Sequence, residues 1–527
     1  MSIPIILCCF SVIPCLLYLR QYTLQRIQAR SLPDGPQPLP FLGNIWTIFK
    51  LTYYPAITCS ALTECYGNLV TFWIGYTPVI LINDPAAAYE LLQKGALNSS
   101  SRPLNNDYRY SILPNRIVVT PAGKCFRDLR KLYHMLLQEQ AATIYQAHDV
   151  ESVTFLQALV NEPSKFRLEC ERLALNVLLK PIYGCRAGKI QDSLVKELYD
   201  IWEMMYLYFL PWTFPFDNFP SLLALPKILQ PWDWLTRSLL RQEEFIHARL
   251  LGGVKASMET GEGSPCMART LIESDILGHV LGLKINGADD GKLNKQAEER
   301  NLTDVLAMIL GAGADTISST LLNFFKAMAL HHNAMASSQA EIDAVVGSSR
   351  LPAWGDMDDL PYTKALIKEV HRWAPIATIG VPHATTSRIE YKGYIIPEGT
   401  ILVPNIASLS RCSSLFREPN MFEPCRYLGV EGKKLVGLPN QGDHFQYGFG
   451  RRLCPGSHIA ESCLSIVIAR VLWGFNIRKV PGHDIDMDHR RNGLLRKAKP
   501  FDISISSRGE NYEKIILHAG GGINETA

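Results

Sequence analysis

No sign of charge dominates this chain of 527 residues: 53 Lys and Arg stand against 50 Asp and Glu, a formal net charge of +3. A near-neutral balance gives no global field to hold nucleic acid, and a nucleic-acid partner is not expected. The 13 cysteines are odd in number and irregular in spacing, and C-x-x-C-H is absent, so neither a disulfide scaffold nor covalent c-type haem attachment is indicated. A reducing compartment follows. No internal repeat interrupts the chain. At 47% hydrophobic and 20% charged residues it can bury a large core, which excludes disorder for the bulk.

One long apolar run is present, IPIILCCFSVIPCLLYL at residues 3–19. As a helix it spans about 26 Å, slightly short of a hydrocarbon core of roughly 30 Å. Arg20, Arg26 and Arg30 follow it, and no acid appears before Asp34. Residues 1–20 therefore read as an uncleaved, single-pass anchor that leaves the body cytosolic. A cleaved signal peptide lacks its basic leader here, and a buried helix is the remaining alternative. Residues 21–44 are basic and then Pro-rich, a stiff hinge. Residues 45–508 form one body and residues 509–527 a frayed tail.

Within the body the pattern predicts mainly α structure with small β-sheets. Strands are expected over 68–82, 389–396 and 401–403, and helices over 86–92, 125–138, 151–160, 302–330, 362–373 and after Cys454. Residues 252–265 and 286–301 read as polar loops. An aromatic concentration at 199–234 is either core packing or a surface that meets a bilayer.

The most informative stretch is HFQYGFGRRLCPGSHIA, residues 444–460. Cys454 lies just before a helix, where N–H groups and the dipole favour a thiolate. Arg451 and Arg452 add positive charge, and Gly448, Gly450 and Gly456 let backbone approach something flat. A structural cysteine is the plain alternative; zinc at Cys454 and His458 lacks further ligands. In TKALIKEVHRWAP, Glu369 and Arg372 share a helical face. GAGADT at 311–316 starts like a dinucleotide fingerprint, but Thr316 replaces the third glycine and no strand precedes it. Its small residues serve either close helix packing or an occupant that needs space.

YGFGRRLCPG resembles the haem-binding loop of the cytochrome P450 haem-thiolate monooxygenases, F-x-x-G-x-R-x-C-x-G, with Tyr447 in place of phenylalanine. The resemblance implies haem b with Cys454 as axial metal ligand, Gly450 and Gly456 framing it, and Arg452 on a propionate. Phe422 to Tyr427 resembles the P-E-R-F segment with Cys425 where glutamate is usual, so Glu369, Arg372 and Arg426 would form a buried structural triad. Residues 312–316 match A-G-x-D-T, which implies an oxygen groove and a catalytic pair, Asp315 and Thr316, that delivers protons. Phe126 to Arg130 resembles W-R-x-x-R, placing Arg130 on a propionate, and His383 stands where a basic residue reaches the haem, or is a solvated loop histidine. These motifs run in family order from about residue 32 to 506, with resemblance to fungal specialised-metabolism members.

The implied fold is the cytochrome P450 fold behind one transmembrane helix at the endoplasmic reticulum. The implied reaction is hydroxylation or epoxidation of a hydrophobic small molecule. Electrons would come from NADPH-cytochrome P450 reductase, with cytochrome b5 as a further donor, because no flavin or nicotinamide site is apparent. Arg130, Lys131 and Arg451 are docking candidates, with a solvated face or a propionate role as the alternative. Ile112, Leu113, Ile309, Gly313, Ile376 to Ile379, Leu494 and Leu495 would line the substrate. An oxygen-independent isomerase of the same family and a non-enzymatic haem or lipid carrier are the alternatives.

Overall fold

The computed structural model describes residues 23–519 except 24, 104–112, 114, 189–192, 207–209, 211, 262, 275, 278–290, 430–433, 438–444 and 487–494. The expected anchor at 1–20 lies outside these residues, as do Ile112 and Leu494.

Helices make most of the body. They are α1 (Ile45–Tyr53), α2 (Pro55–Tyr66), α3 (Lys124–Glu139), α4 (Ala141–Asn161), α5 (Phe166–Tyr183), α6 (Ser193–Met205), α7 (Pro231–Thr260), α8 (Met267–Glu273), α9 (Gly291–Leu330), α10 (His332–Val345), α11 (Pro361–Trp373), α12 (Ser457–Gly474) and α13 (Glu510–His518). Their ends follow local chemistry. Pro231 and Pro361 open α7 and α11 where a missing N–H costs nothing. Gly184 and Gly261 close α5 and α7 in left-handed conformations that a Cβ would strain.

At 40 residues α9 is about 60 Å long. Its Glu299–Leu330 stretch is apolar enough to cross a membrane by length and composition, yet 78% of that window is buried by protein. It is the axle of the core, packed on α5. No other described helix meets that length and hydropathy test.

The expected strands are present. β1 (Leu69–Ile74) and β2 (Thr77–Ile82) form an antiparallel hairpin; β6 (Ile401–Pro404) lies parallel to β2, and β3 (His383–Ala384) pairs with β6. The sheet order is β1-β2-β6-β3. β4 (Ile389–Tyr391) with β5 (Tyr394–Ile396), and β7 (Phe475–Lys479) with β8 (Ile503–Ser507), are separate hairpins.

Four expectations change. The Pro-rich hinge is no free linker: Thr71 N–H donates to Asp34 O at 3.1 Å, Leu32 is buried, and the Asn44 amide bonds Pro36 O, Gln37 O and Trp73 N. The loop at 252–265 is helical to Thr260, because Leu251 and Val254 keep one face of α7 in the core. The loop at 286–301 is helical from Gly291, the start of α9. The tail from 509 contains α13, whose Ile516 is fully buried and whose Tyr512 meets Trp473 edge-on at 4.7 Å.

Most of the aromatic segment packs in the core. Tyr199, Trp202, Trp212, Phe216 and Trp232 are buried, whereas Trp234 is 70% exposed beside Ile228 at 91%.

A buried charge cluster joins α7, α9 and the loop before α3. Arg116 Nη1 donates to Glu243 Oε1 at 3.2 Å, Nη2 contacts Oε2, and Nε stands 3.6 Å from Asp304 Oδ1. Asn115 Nδ2 donates to Asn301 Oδ1 at 2.6 Å, and Asn301 is buried. Two carboxylates share one guanidinium. Burial pushes Asp304 up to about 6 and Glu243 and Glu244 add to the rise, while Arg116 and Arg300 oppose it. A carboxyl raised on folding contributes stability that is complete below its unfolded value of 3.8 and lost as pH rises through about 6. The loss amounts to about 3 kcal/mol. Asp304→Asn should therefore melt increasingly above the parent as pH goes from 4.5 to 7.5. A melting difference that stays flat with pH would contradict this.

Candidate active site

The cysteine loop is built by close contacts that exclude other side chains. Gly450 has φ +52°, and a Cβ there would meet Leu92 O at 2.5 Å and Ala96 Cβ at 2.8 Å. Its N–H donates to Gln93 Oε1 at 2.6 Å. Cys454 N–H closes the loop on Tyr447 O at 2.9 Å, three residues before α12 begins. Burial pushes the Cys454 thiol up; the Gly456 N–H and the Arg130 guanidinium pull it the other way. Among the described residues no group of three or more His, Cys, Asp or Glu could hold a metal, so zinc at Cys454 and His458 has no support.

Cys454 faces a cavity of about 320 Å³. Ala312, Gly313, Thr316 and Thr320 of α9 line it too; Ile117, Val118, Ile376, Ile379 and Leu495 make apolar walls. Ile309, Gly313, Ile376, Ala377, Ile379 and Leu495 thus line it as expected. Leu113 and Thr378 are instead packed into the core and are not among the lining residues.

One rim carries Arg102, Arg130, Arg452 and His383. Arg452 donates to Ser100 O at 2.7 Å, Ile117 O at 3.1 Å and Thr120 O at 2.7 Å, and lies 3.6 Å over the Phe126 ring. Phe126 is therefore its platform. Arg102 donates to Val118 O at 2.6 Å and to Val381 and Pro382 carbonyls. Arg130 donates to Leu453 O. No described carboxylate pairs with any of the three.

Burial, then Arg102 and Arg130, lower Arg452 to about 8, and burial lowers Arg102 to about 9. His383 is buried, not solvated: its Nδ1 bonds Ser99 O at 2.9 Å, and burial with Arg102 and Arg452 holds it down to about 3. One buried cation, Arg102, and two half-buried ones, Arg130 and Arg452, stand together without a described carboxylate, which is costly. They would hold the carboxylates of a ligand in this cavity, and the Cys454 thiolate would ligate its metal. Gly456 agrees, since a Cβ there meets no protein atom within 4 Å and would project at the cavity's edge. These residues fit haem b.

The cytochrome P450 family model matches residues 33–505. The chain belongs to the cytochrome P450 family. It is 41% identical over 490 residues to the cytochrome P450 monooxygenase polD of Polytolypa hystricis, covering 92% of this chain and 91% of that protein. It is 31% identical over 535 residues to cytochrome P450 monooxygenase 136 of Postia placenta, covering 98% and 96%. Cytochrome P450 monooxygenase fsoB of Humicola fuscoatra is 29% identical over 506 residues. The chain is an oxidoreductase of the monooxygenase class.

In this P450 the acid and the alcohol face different ways. Thr316 lines the cavity, its Oγ1 donating to Ala312 O at 2.8 Å. Asp315 is fully buried on the side of α5 and α6, close enough to Tyr199 to act on it electrostatically. The α9 glycines serve packing. A Cβ on Gly311 would meet the Trp202 indole nitrogen at 2.8 Å, and one on Gly313 the Leu178 Cδ1 at 2.4 Å. Gly311 does not line the cavity, whereas Gly313 lines it together with Ala312, Thr316 and Leu178.

The triad assembles. Arg372 Nε and Nη2 each donate to Glu369 at 2.7 Å, and Arg426 Nε stands 3.5 Å from Glu369 Oε1. Arg102 carried no signal in the sequence: a lone arginine in SSSRP belongs to no pattern until folding sets it beside Arg452.

Proposed function

We propose that this P450 hydroxylates or epoxidises an apolar small molecule, a fungal specialised metabolite, using O2 and electrons from NADPH through a separate flavoprotein reductase. The observation that carries the reading is that Cys454 and Thr316 line one apolar cavity, whose rim carries three arginines with no described carboxylate partner. Haem b, when bound to the Cys454 thiolate, supplies the activation of dioxygen. The remaining N–H groups of Arg102, Arg130 and Arg452 hold its carboxylates and fix its rotation. Ile117, Val118, Ile376 and Ile379 exclude water and select an apolar substrate. The Thr316 hydroxyl, released from Ala312 O, holds a proton toward the cavity, and Asp315 behind it restores that proton.

Exposed Lys131 and Arg451 support reductase docking on the cysteine side. Exposed Trp46, Ile57, Ile228 and Trp234 support contact with the endoplasmic reticulum membrane, from which the body faces the cytosol.

A carbon-monoxide difference spectrum, combined with oxygen and NADPH consumption in a fungal metabolite extract plus reductase, tests the reading. A red-shifted band with product formation that needs no oxygen would establish the isomerase instead. No band at all would leave only a carrier.

Thr316→Ala should fold and load haem normally. Product per NADPH oxidised should fall about tenfold, with hydrogen peroxide rising to match, while Asp315→Asn should slow total turnover. An unchanged product-to-NADPH ratio in Thr316→Ala would remove the proton-delivery role.

A further inference from the structure

The cavity wall at Ile117 and Val118 is held from two sides by cations that differ in what they answer to. From below, Arg452 donates to Ile117 O and Thr120 O, and Arg102 to Val118 O. From above, the adjoining Arg116 is clamped to Glu243 of α7 and lies beside Asp304 of α9, with Asn115 bonded to Asn301. Arg116 itself does not line the cavity, and its side chain is 4% exposed. Met205 Sδ of α6 lies 4.0 Å from its Nη1. The six residues 115–120 thus form a strap between the cofactor rim and three helices.

The clamp is not what neutral packing would choose. One guanidinium serves two buried carboxylates, Arg116 Nε and Asp304 Oδ2 have no hydrogen-bond partner, and apolar residues of like volume would cost the fold less. An arrangement that keeps charge where oil would serve is specific in direction: a guanidinium fork against Glu243 sets one register between strap and helix.

We propose that Arg116 is a positioning residue, whose pairing with Glu243 and Asp304 fixes the Ile117–Val118 wall over the cofactor and makes it move with α7. The proposal rests on the reading of the cavity as a haem and substrate site. It implies that any displacement of α7 for ligand entry withdraws the wall, and that return of α7 re-seats it.

The test uses the full-length, haem-loaded protein, with hydrogen exchange followed by mass spectrometry and 4-phenylimidazole as an apolar probe read by its spectral shift. Arg116→Lys keeps the charge and loses the fork. Haem content and the carbon-monoxide band should match the parent. Exchange in residues 115–120 should quicken about tenfold, and probe affinity should weaken severalfold. Glu243→Gln leaves one charge against one and guards against a misfolded first variant. It should quicken exchange in 115–120 and in the Leu239–Leu251 part of α7 together.

Loosening of α7 alone, with 115–120 and probe affinity unchanged, would overturn the proposal, as would unaltered exchange in Arg116→Lys. Absence of a haem band in the parent would fail the cavity's reading instead; exchange of the strap would still report on the clamp.

Discussion

Cys454→His should yield a folded chain whose reduced carbon-monoxide complex lacks the red-shifted Soret band, with monooxygenation below detection. The thiolate is what pushes electron density toward O–O cleavage, and an imidazole does not replace it. The loop allows the comparison to be clean. Its shape comes from Gly450 against Leu92 O and from the Cys454 N–H to Tyr447 O bond, neither of which uses the thiol. The arginine rim is likewise independent of residue 454's side chain, so cofactor capture should decline less than the spectrum changes. Haem content, far-ultraviolet circular dichroism and the difference spectrum check this together. Survival of the red-shifted band would remove Cys454 as ligand.

Glu369→Ala should lower folded, haem-loaded yield sharply, because it strands the buried Arg372 and takes the carboxylate partner from the half-buried Arg426. Arg372 is 1% exposed and Glu369 is not exposed at all. Besides the two Arg372 contacts, Glu369 Oε1 accepts the Glu423 N–H at 2.7 Å. Breaking one side of such a network costs about 3–5 kcal/mol, against a net stability of roughly 5–15 kcal/mol. Arg372→Ala should be as damaging, since Arg372 also binds the carbonyls of Ser410, Pro419 and Met421 at 2.6–3.0 Å. Arg426→Ala should cost less, because its guanidinium is partly exposed and 3.5 Å from the carboxylate. Haem-loaded yield and melting temperature decide. Normal folding with selective loss of turnover would make the triad catalytic rather than structural.

The sequence made the cysteine loop, the Glu369–Arg372 pair and the β1–β2 hairpin legible because each is local: ligand, cap, turn and pairing partners lie within a few residues. Long α9 was visible as an apolar stretch, but its start at Gly291 was hidden, since the polar sequence there carries no apolar period. Helix α5 was missed for the opposite reason. Nearly every residue of α5 from Leu173 to Leu179 is buried, so no polar stripe marks a face. Packing partners were beyond reach altogether. Nothing near Gly311 announces Trp202 more than a hundred residues earlier, and the small-residue run therefore read equally as space or as contact. His383 shows the same limit, because solvated and buried histidines look alike until β3 pairs with β6.

The pairing of β2 with β6 sets an order in time. Val79–Ile82 must wait for Ile401–Pro404, more than 300 residues later. At translation rates of roughly 5–20 residues per second, that is tens of seconds during which the hairpin has a bare edge. The rim is finished later still, since Arg102 and Arg130 emerge early and Arg452 near the end. Prosthetic-group capture therefore belongs to the nearly complete polypeptide, and a nascent chain stalled before residue 452 would hold a hairpin open to strangers and no means of closing on haem.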